Sequence, residues 1–222
     1  MKENIVIGIE GLVGTGKTSI CRNLLKYIPN SIVLHAGNIY RAITYQIIKE
    51  NIPKEKINHI DLKELFENFE IEIKIENCET VVYAHNKKID EDDLQSVENS
   101  LAVSKISGIA NNEKAYLLVK KYIDNYKKKY NVIFSGRDTE KIYPNLDYHF
   151  FIVADLEKRV EWKYSQYDKK IDKEELRKHI AERDDLQNKS GFYKIYDNTI
   201  TIDVTNCTSI EESTKKVLEH IL

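Results

Sequence analysis

An α/β fold built on a parallel sheet is predicted by three observations in this 222-residue chain. Ile5-Val6-Ile7-Gly8-Ile9 is an apolar run that ends in a glycine-rich turn, and the residues after the turn, Thr18 to Leu25, have helical spacing. Short buried runs recur downstream at Ser31-Ile32-Val33-Leu34, Val132-Ile133-Phe134 and Tyr148 to Val153, separated by helical patterns. Hydrophobic residues make up 41% of the chain, enough for one sizeable core, so one compact domain with insertions is expected.

The turn after the first run reads Gly11-Leu12-Val13-Gly14-Thr15-Gly16-Lys17-Thr18, a complete G-x-x-x-x-G-K-[ST] pattern between a strand and a helix. Glycines there let the backbone wrap an anion with its N–H groups inward, and the helix N-terminus adds partial positive charge. The candidate nucleotide-phosphate residues are Gly11, Gly14, Thr15, Gly16, Lys17, Thr18 and Ser19. Lys17 is placed to reach the β- and γ-phosphates of a nucleotide, and Thr18 to offer its hydroxyl to Mg2+. A glycine turn that only joins strand to helix is the bland alternative, and the completeness of motif and flanks speaks against it.

Beyond this loop, His35-Ala36-Gly37-Asn38-Ile39-Tyr40-Arg41 opens a second helix that Pro53 closes, and Arg41 falls where it can point back over the strand ends. A short helix is expected over 61–69. At residues 70–76 the period changes to two, with Ile71, Ile73 and Ile75 alternating with charges, and 80–84 would pair with that strand across Asn77-Cys78-Glu79. This hairpin interrupts the βα pattern and is expected as an insertion beside the main sheet. Helices are predicted over 96–109 and 113–130, the second with an apolar stripe of Ala115, Leu118, Val119, Tyr122, Ile123, Tyr126 and Tyr130 whose tyrosines read as packing rather than a base-stacking platform. Ser135-Gly136-Arg137-Asp138 and Ala154-Asp155 put charge at the carboxyl edge of the sheet. Asp172 with Glu175, and Ser209 with Glu212, read as helix caps, and 199–204 as a last strand.

Composition excludes several classes of function. Basic and acidic residues number 34 and 36, a balance that does not suit a general nucleic-acid or anionic-membrane binder. Cys21, Cys78 and Cys207 have neither metal-ligand nor disulfide spacing, and no apolar run approaches the roughly 20 residues that span a bilayer. A cytoplasmic, monomeric protein acting on small molecules is the expectation. Six of the 34 basic residues are arginines, whose planar fork suits bidentate phosphate binding. Arg41, Arg137, Arg159 and Arg183 are therefore site candidates, whereas Arg22 and Arg177 sit in ordinary helical patterns that favour surface ion pairing.

Taken together, the motifs resemble one family along nearly the whole chain, the bacterial cytidylate kinases within the nucleoside monophosphate kinases. The family's Asp-[Ser/Thr]-Gly-x-x-Tyr-Arg is similar to residues 35–41, its Gly-Arg-Asp to Gly136-Arg137-Asp138, and its Glu-Arg-Asp to Glu182-Arg183-Asp184. The resemblance implies a P-loop NTPase fold with a central five-stranded parallel sheet flanked by helices, a small β-rich insertion and a helical lid. The core sheet would come from residues 1–34, 131–155 and 195–222, the acceptor region and insert from 35–110, and the lid from 156–190. It implies ATP and Mg2+ as cofactors and phosphorylation of a nucleoside monophosphate, CMP or dCMP foremost. Lys17, Arg137 and Arg183 would carry catalysis, with Gly37, Tyr40, Arg41, Ser104, Arg137, Asp138 and Arg183 around the acceptor and Arg159 as a second lid arginine.

The chain departs from the family pattern on the acceptor side. The motif aspartate is His35 and the hydroxyl residue is Ala36; Gln187 stands for the sugar-binding aspartate, Ser190 for a final arginine, and Glu113 or Lys114 for an arginine at the base. Two other readings stay open on these residues. One is a small-molecule kinase with another acceptor, where Asp138 or Asp155 would serve as base or metal ligand. The other is a catalytically weak ATP-binding protein, which the retained arginines disfavour. A GTP switch is disfavoured by the lack of an Asn-Lys-x-Asp motif.

Overall fold

Period-two alternation along the central strands sets the layering. The computed structural model describes residues 4–53, 62–96, 99, 103, 113–167 and 172–221. Its elements are β1 (Val6–Gly11), α1 (Lys17–Leu24), β2 (Ser31–His35), α2 (Ala36–Lys49), α3 (Leu62–Asn68), β3 (Glu72–Glu76), β4 (Glu79–Ala84), β5 (Lys87–Lys88), α4 (Glu91–Gln95), α5 (Glu113–Tyr126), β6 (Asn131–Ser135), α6 (Thr139–Ile142), β7 (Tyr148–Val153), α7 (Leu156–Gln166), α8 (Lys173–Lys189), β8 (Thr199–Asp203) and α9 (Ile210–Leu218). Val6, Ile32, Leu34, Val132 and Phe134 face one way and pack against α2 and α5 through Ile39, Ile43, Val119 and Ile123. Ile7, Ile9, Ile133, Phe150 and Ile152 face the other way, against Ile20, Leu24, Val217 and Leu218 of α1 and α9. Both faces of the sheet are thus covered, as parallel sheets require.

β2, β6, β1, β7 and β8 pair in parallel in that order, so five parallel strands form the centre of the sheet. The chain leaves β1 through α1 to β2 and only later fills the place between them with β6. This reversal puts the C-terminal end of β1 at a switch point, where open α/β sheets form their ligand crevice.

The expected hairpin is present, with Asn77 and Cys78 at φ 50° and 64° in its two-residue turn, the hand that matches strand twist. It does not lie beside the sheet, however. β4 runs parallel to β2 through Val33 and Glu79, and the Val33 N–H donates to the Cys78 carbonyl at 2.8 Å, so the hairpin prolongs the sheet beyond β2. Backbone groups on the β2 edge needed partners, and the hairpin supplies them.

The stripe on α5 is packing, with Val119 and Ile123 fully buried and Tyr122, Tyr126 and Tyr130 against the same core. The helix stops at Tyr126, short of the expected 130. The helix expected over 96–109 lies outside the described residues except at Ser96, Asn99 and Val103, and Ser96, with ψ 150°, closes α4 rather than opening a helix. Asp172 caps α8 by accepting from the Glu175 N–H at 2.7 Å. Ser209 caps α9 from Glu212 N–H at 3.2 Å, while the Glu212 carboxylate returns to Thr208 N–H at 2.7 Å, one residue earlier than a capping box places it. No helix among the described residues is long and apolar enough to cross a membrane.

Candidate active site

The loop between β1 and α1 is held by close packing at its start. Gly11 has φ 144°, and a Cβ there would lie 2.1 Å from the Ile152 carbonyl oxygen, so no side chain fits. Leu12 N–H donates to that same oxygen at 3.1 Å. Gly14 and Gly16 have φ 83° and 77°, and Gly16 begins α1 in the left-handed region. Thr15 is buried and donates its hydroxyl to the Leu12 carbonyl at 2.9 Å. Lys17 folds over the loop, Nζ donating to the carbonyls of Gly11 at 2.9 Å and Leu12 at 2.7 Å. Burial, with Arg137 and Arg183 nearby, lowers its pKa to about 7 although Asp184 opposes the shift.

Two clefts meet at this loop, sharing Gly14, Lys17, Thr18 and Ser19. One, of about 520 Å³, runs between α7 and the start of α9, with Trp162, Cys207, Ser209 and Ile210 in its wall. The other, of about 680 Å³, extends over the ends of β2 and β6 and contains Gly37, Tyr40, Arg41, Arg137 and Arg183. Thr18 is exposed at the first turn of α1, open to both clefts. The seven loop residues that the sequence nominates, and five of the six acceptor-side ones besides Ser104, are therefore brought to one place; the sixth, Asp138, stands just behind the second cleft. Ser104 and the side chains of Glu113 and Lys114 lie outside the described residues.

Arg41, Arg137 and Arg183 form no ion pair among the described residues. Burial lowers the pKa of each; Arg41 and Arg137 are both brought down to about 10, and their second-largest influence is the charge of Arg183. Three mutually repelling, half-buried cations that form no ion pair among the described residues constitute a site for an anion. The Arg137 guanidinium lies over the Phe192 ring at 5.2 Å, which fixes its plane. Lys163 of α7 joins them, its pKa lowered by burial and then by Arg183 and Arg41. Sequence reasoning missed Lys163 because a lone lysine in a lysine-rich chain carries no signal.

Asp138 adopts φ 52°, a left-handed conformation for a buried non-glycine residue. Glu10, 2% exposed at the end of β1, holds the following residue: its Oε1 accepts from Thr139 N–H at 2.5 Å and Thr139 Oγ1 at 2.7 Å. The same oxygen lies 3.1 Å from Nε2 of the fully buried His149. The Asp138 carboxylate accepts from the Tyr116 hydroxyl at 2.7 Å, and burial raises its pKa. Neither Glu10 nor Tyr116 was nominated by sequence. A carboxylate closing an apolar strand was the available signal for Glu10.

Around the rest of the second cleft, Asn38 donates to Glu91 at 3.1 Å and Gln95 donates to Asn38 at 3.1 Å. Gln187 is buried in the cleft wall and makes no side-chain hydrogen bond among the described residues, and the Tyr40 hydroxyl is buried without a partner among them. Ser190 is exposed at the end of α8. Ala36 is buried, so the family hydroxyl position carries only a methyl group here.

Arg159 has a different setting from the other arginines. It is 5% exposed, and its guanidinium donates to the carbonyls of Ala154 and Val13, both at 2.8 Å, and to Asp184. Asp184 in turn accepts from Val13 N–H at 2.9 Å and from the Tyr193 hydroxyl at 2.6 Å. Val13 is thus clasped between α7 and α8. Arg22 and Arg177 make the expected ion pairs, with Glu79 at 2.8 Å and Glu157 at 2.6 Å.

The family model for cytidylate kinase matches residues 7–222. A cytidylate kinase of Clostridioides difficile strain 630 is 30% identical over 98% of both chains, and one of Clostridium botulinum strain Langeland is 31% identical over 98% of both. A solved gluconokinase of Sinorhizobium meliloti 1021 covers 99% of this chain and 92% of its own at 11% identity and TM-score 0.47. A full-length match to the family model, relatives at this identity and a phosphate-binding loop at the switch point of a parallel sheet make the chain a member of the cytidylate kinase family.

Proposed function

We propose that the chain transfers the γ-phosphoryl group of ATP to a nucleoside monophosphate, with CMP and dCMP as first acceptors. Membership of the family makes it a nucleoside monophosphate kinase, a transferase. The observation that carries the finer reading is the junction of the two clefts at Lys17 and Thr18, with three arginines on the acceptor side that form no ion pair among the described residues. ATP fits the first cleft with its triphosphate along the loop. The acceptor phosphate fits among Arg41, Arg137 and Arg183, which bring an ionised oxygen up to the γ-phosphorus. Such an oxygen needs no base, so the protein's contribution is positioning and charge stabilisation. Lys17 exchanges the Gly11 and Leu12 carbonyls for the β- and γ-phosphates, and the arginines take up charge on the transferring group. The exposed Thr18 hydroxyl suits a Mg2+ that arrives with ATP and neutralises phosphate charge when bound.

A hydroxyl acceptor would need a base in the cleft. Asp138 is engaged by Tyr116, and Asp155 lies at the start of α7, outside both clefts. Coupled ADP release over CMP, dCMP, UMP and AMP at fixed ATP and Mg2+ tests the reading. We expect turnover with CMP and dCMP first, with nucleoside discrimination, including the preference over UMP, narrowed because Gln187, Ser190 and Glu113 or Lys114 stand where the family places sugar- and base-reading groups, each such contact worth about 1–3 kcal/mol. A strong preference for CMP over both UMP and dCMP would show that other residues read the nucleoside, and no ADP release with any of the four would overturn the reading.

A further inference from the structure

One large aromatic side chain, Trp162, stands in the wall of the nucleotide cleft. The phosphate-binding loop is packed on two sides. A Cβ at Gly14 would lie 3.4 Å from the Arg159 Cβ and 3.6 Å from the Lys163 Cγ on α7, and a Cβ at Gly16 would lie 3.5 Å from the Ile210 Cδ1 at the start of α9. Residues 159, 162, 163 and 166 recur at helical spacing, so they share the face of α7 that is turned to the loop. Arg159 is held at Val13, and Trp162 lies next on that face, lining the cleft of about 520 Å³ from the α7 side while Ile210 lines it from the α9 side. The indole is half-buried, resting on the core beneath α1 and α9. The Lys158 Nζ, outside the cleft, lies 5.9 Å from the ring centroid and restrains it further.

The polar side chains of this wall are engaged in holding the protein together. The Thr208 hydroxyl donates to the Glu212 carboxylate at 3.0 Å, Ser209 Oγ accepts from the Glu212 N–H at 3.2 Å, and the Ser213 hydroxyl donates to the Ser209 carbonyl at 3.2 Å, all within the cap of α9. Gln166 accepts from Lys163 at 3.0 Å, and Thr15 donates to Leu12. Lys17, Thr18 and Ser19 belong to the phosphate end of the cleft. A base entering between α7 and α9 therefore meets an indole and a branched aliphatic chain rather than a side chain set aside to read its edge.

We propose that Trp162 is the platform on which the base of the phosphoryl donor stacks, and that the donor is accepted as a purine nucleoside triphosphate, GTP as well as ATP. The inference rests on the kinase reading above. Every base presents a π-face, so stacking holds a base without sorting it by its edge, whereas a site built to hydrogen-bond an amino group rejects a base that lacks it. Adenine and guanine offer similar faces and different edges, and only a reader of edges separates them. Trp162 thereby sets both the affinity for the base and the breadth of donors.

Trp162 is the one tryptophan of the chain, so indole fluorescence reports on this wall alone. The probes are ATP, GTP and inorganic tripolyphosphate, which carries the charge without a base. We expect ATP and GTP to quench the indole emission with dissociation constants within about tenfold of each other, and tripolyphosphate to bind by calorimetry with little change in emission. In Trp162→Ala, calorimetry should show ATP weakened about tenfold or more and tripolyphosphate changed by less than about twofold, with Trp162→Phe restoring ATP. Should the alanine variant not fold, Trp162→Leu keeps apolar bulk without a π-face and is read in the same way. No quenching at saturating ATP, equal losses for ATP and tripolyphosphate in the variant, or a preference for ATP over GTP beyond that range would each overturn the proposal and leave the kinase reading intact. Failure of the wild type to bind ATP and tripolyphosphate alike would overturn both.

Discussion

The two clefts are built in different ways. The nucleotide cleft draws its phosphate-binding groups from one continuous loop, residues 11 to 19, whose backbone shape is imposed by three glycines and by the packing of Gly11 on Ile152. The acceptor cleft is assembled from β2, α2, α4, β6, α7 and α8, and its charged groups meet only in the folded chain. Local chain geometry fixes the first, and tertiary hydrogen bonds fix the second. Acceptor chemistry can therefore drift through single substitutions that leave the ATP end untouched, as His35, Ala36 and Gln187 illustrate.

The sharpest way to separate the two regions is through their charges. Lys17→Ala should lower kcat by about a thousandfold with the acceptor KM little changed, since it removes charge from the transferring group; single-turnover measurement with circular dichroism as a folding control checks this. Arg137→Ala should lower kcat/KM for the acceptor by about a hundredfold while leaving ATP binding within a few-fold of wild type. Equal losses for ATP and acceptor would break the distinction between the clefts.

Glu10→Ala should act through stability. It strands the Thr139 N–H and His149, and a loss of about 2–4 kcal/mol is expected from urea unfolding, with the acceptor KM raised because Asp138 loses its anchor. The smallest expected effect is on pH dependence. Lys17 has a pKa of about 7 in the free protein, and a triphosphate beside it favours the charged form. Above pH 7 the free protein has lost that proton and the complex keeps it, so binding takes up a proton. ATP affinity should then fall by up to about tenfold per pH unit as pH rises from 7, and stay flat below 7. Calorimetry at pH 6 and 8.5 in buffers of different ionisation enthalpy measures this uptake directly.

Legibility in the sequence follows the same division. The loop could be read because its residues are contiguous and its flanks have the periods of a strand and a helix. Arg137 and Asp138 stood out by their place at the carboxyl edge of the sheet and Arg183 by the scarcity of arginine, while the roles of all three came only through the resemblance to a family. Glu10 contacts Thr139 across 129 positions and His149 across 139, separations at which no periodicity operates. Tyr116 was counted with neither the packing stripe nor the site, although it belongs to both, with its ring in the core and its hydroxyl on Asp138. The hairpin was recognised from its alternation, but its attachment to β2 depends on a single parallel register that no local pattern encodes.

The clasp on Val13 has a mechanical consequence. Arg159 of α7 and Asp184 of α8 hold the carbonyl and the N–H of one residue in the phosphate-binding loop, and so the two peptide groups that flank its Cα. Were α8 to swing relative to the sheet, the torque would act on that residue first, two residues from Thr15 and four from Lys17. The loop is thus the fulcrum of the helical pair rather than a bystander to its movement. Filling the loop and setting the angle of α8 therefore bear on the same pair of backbone hydrogen bonds.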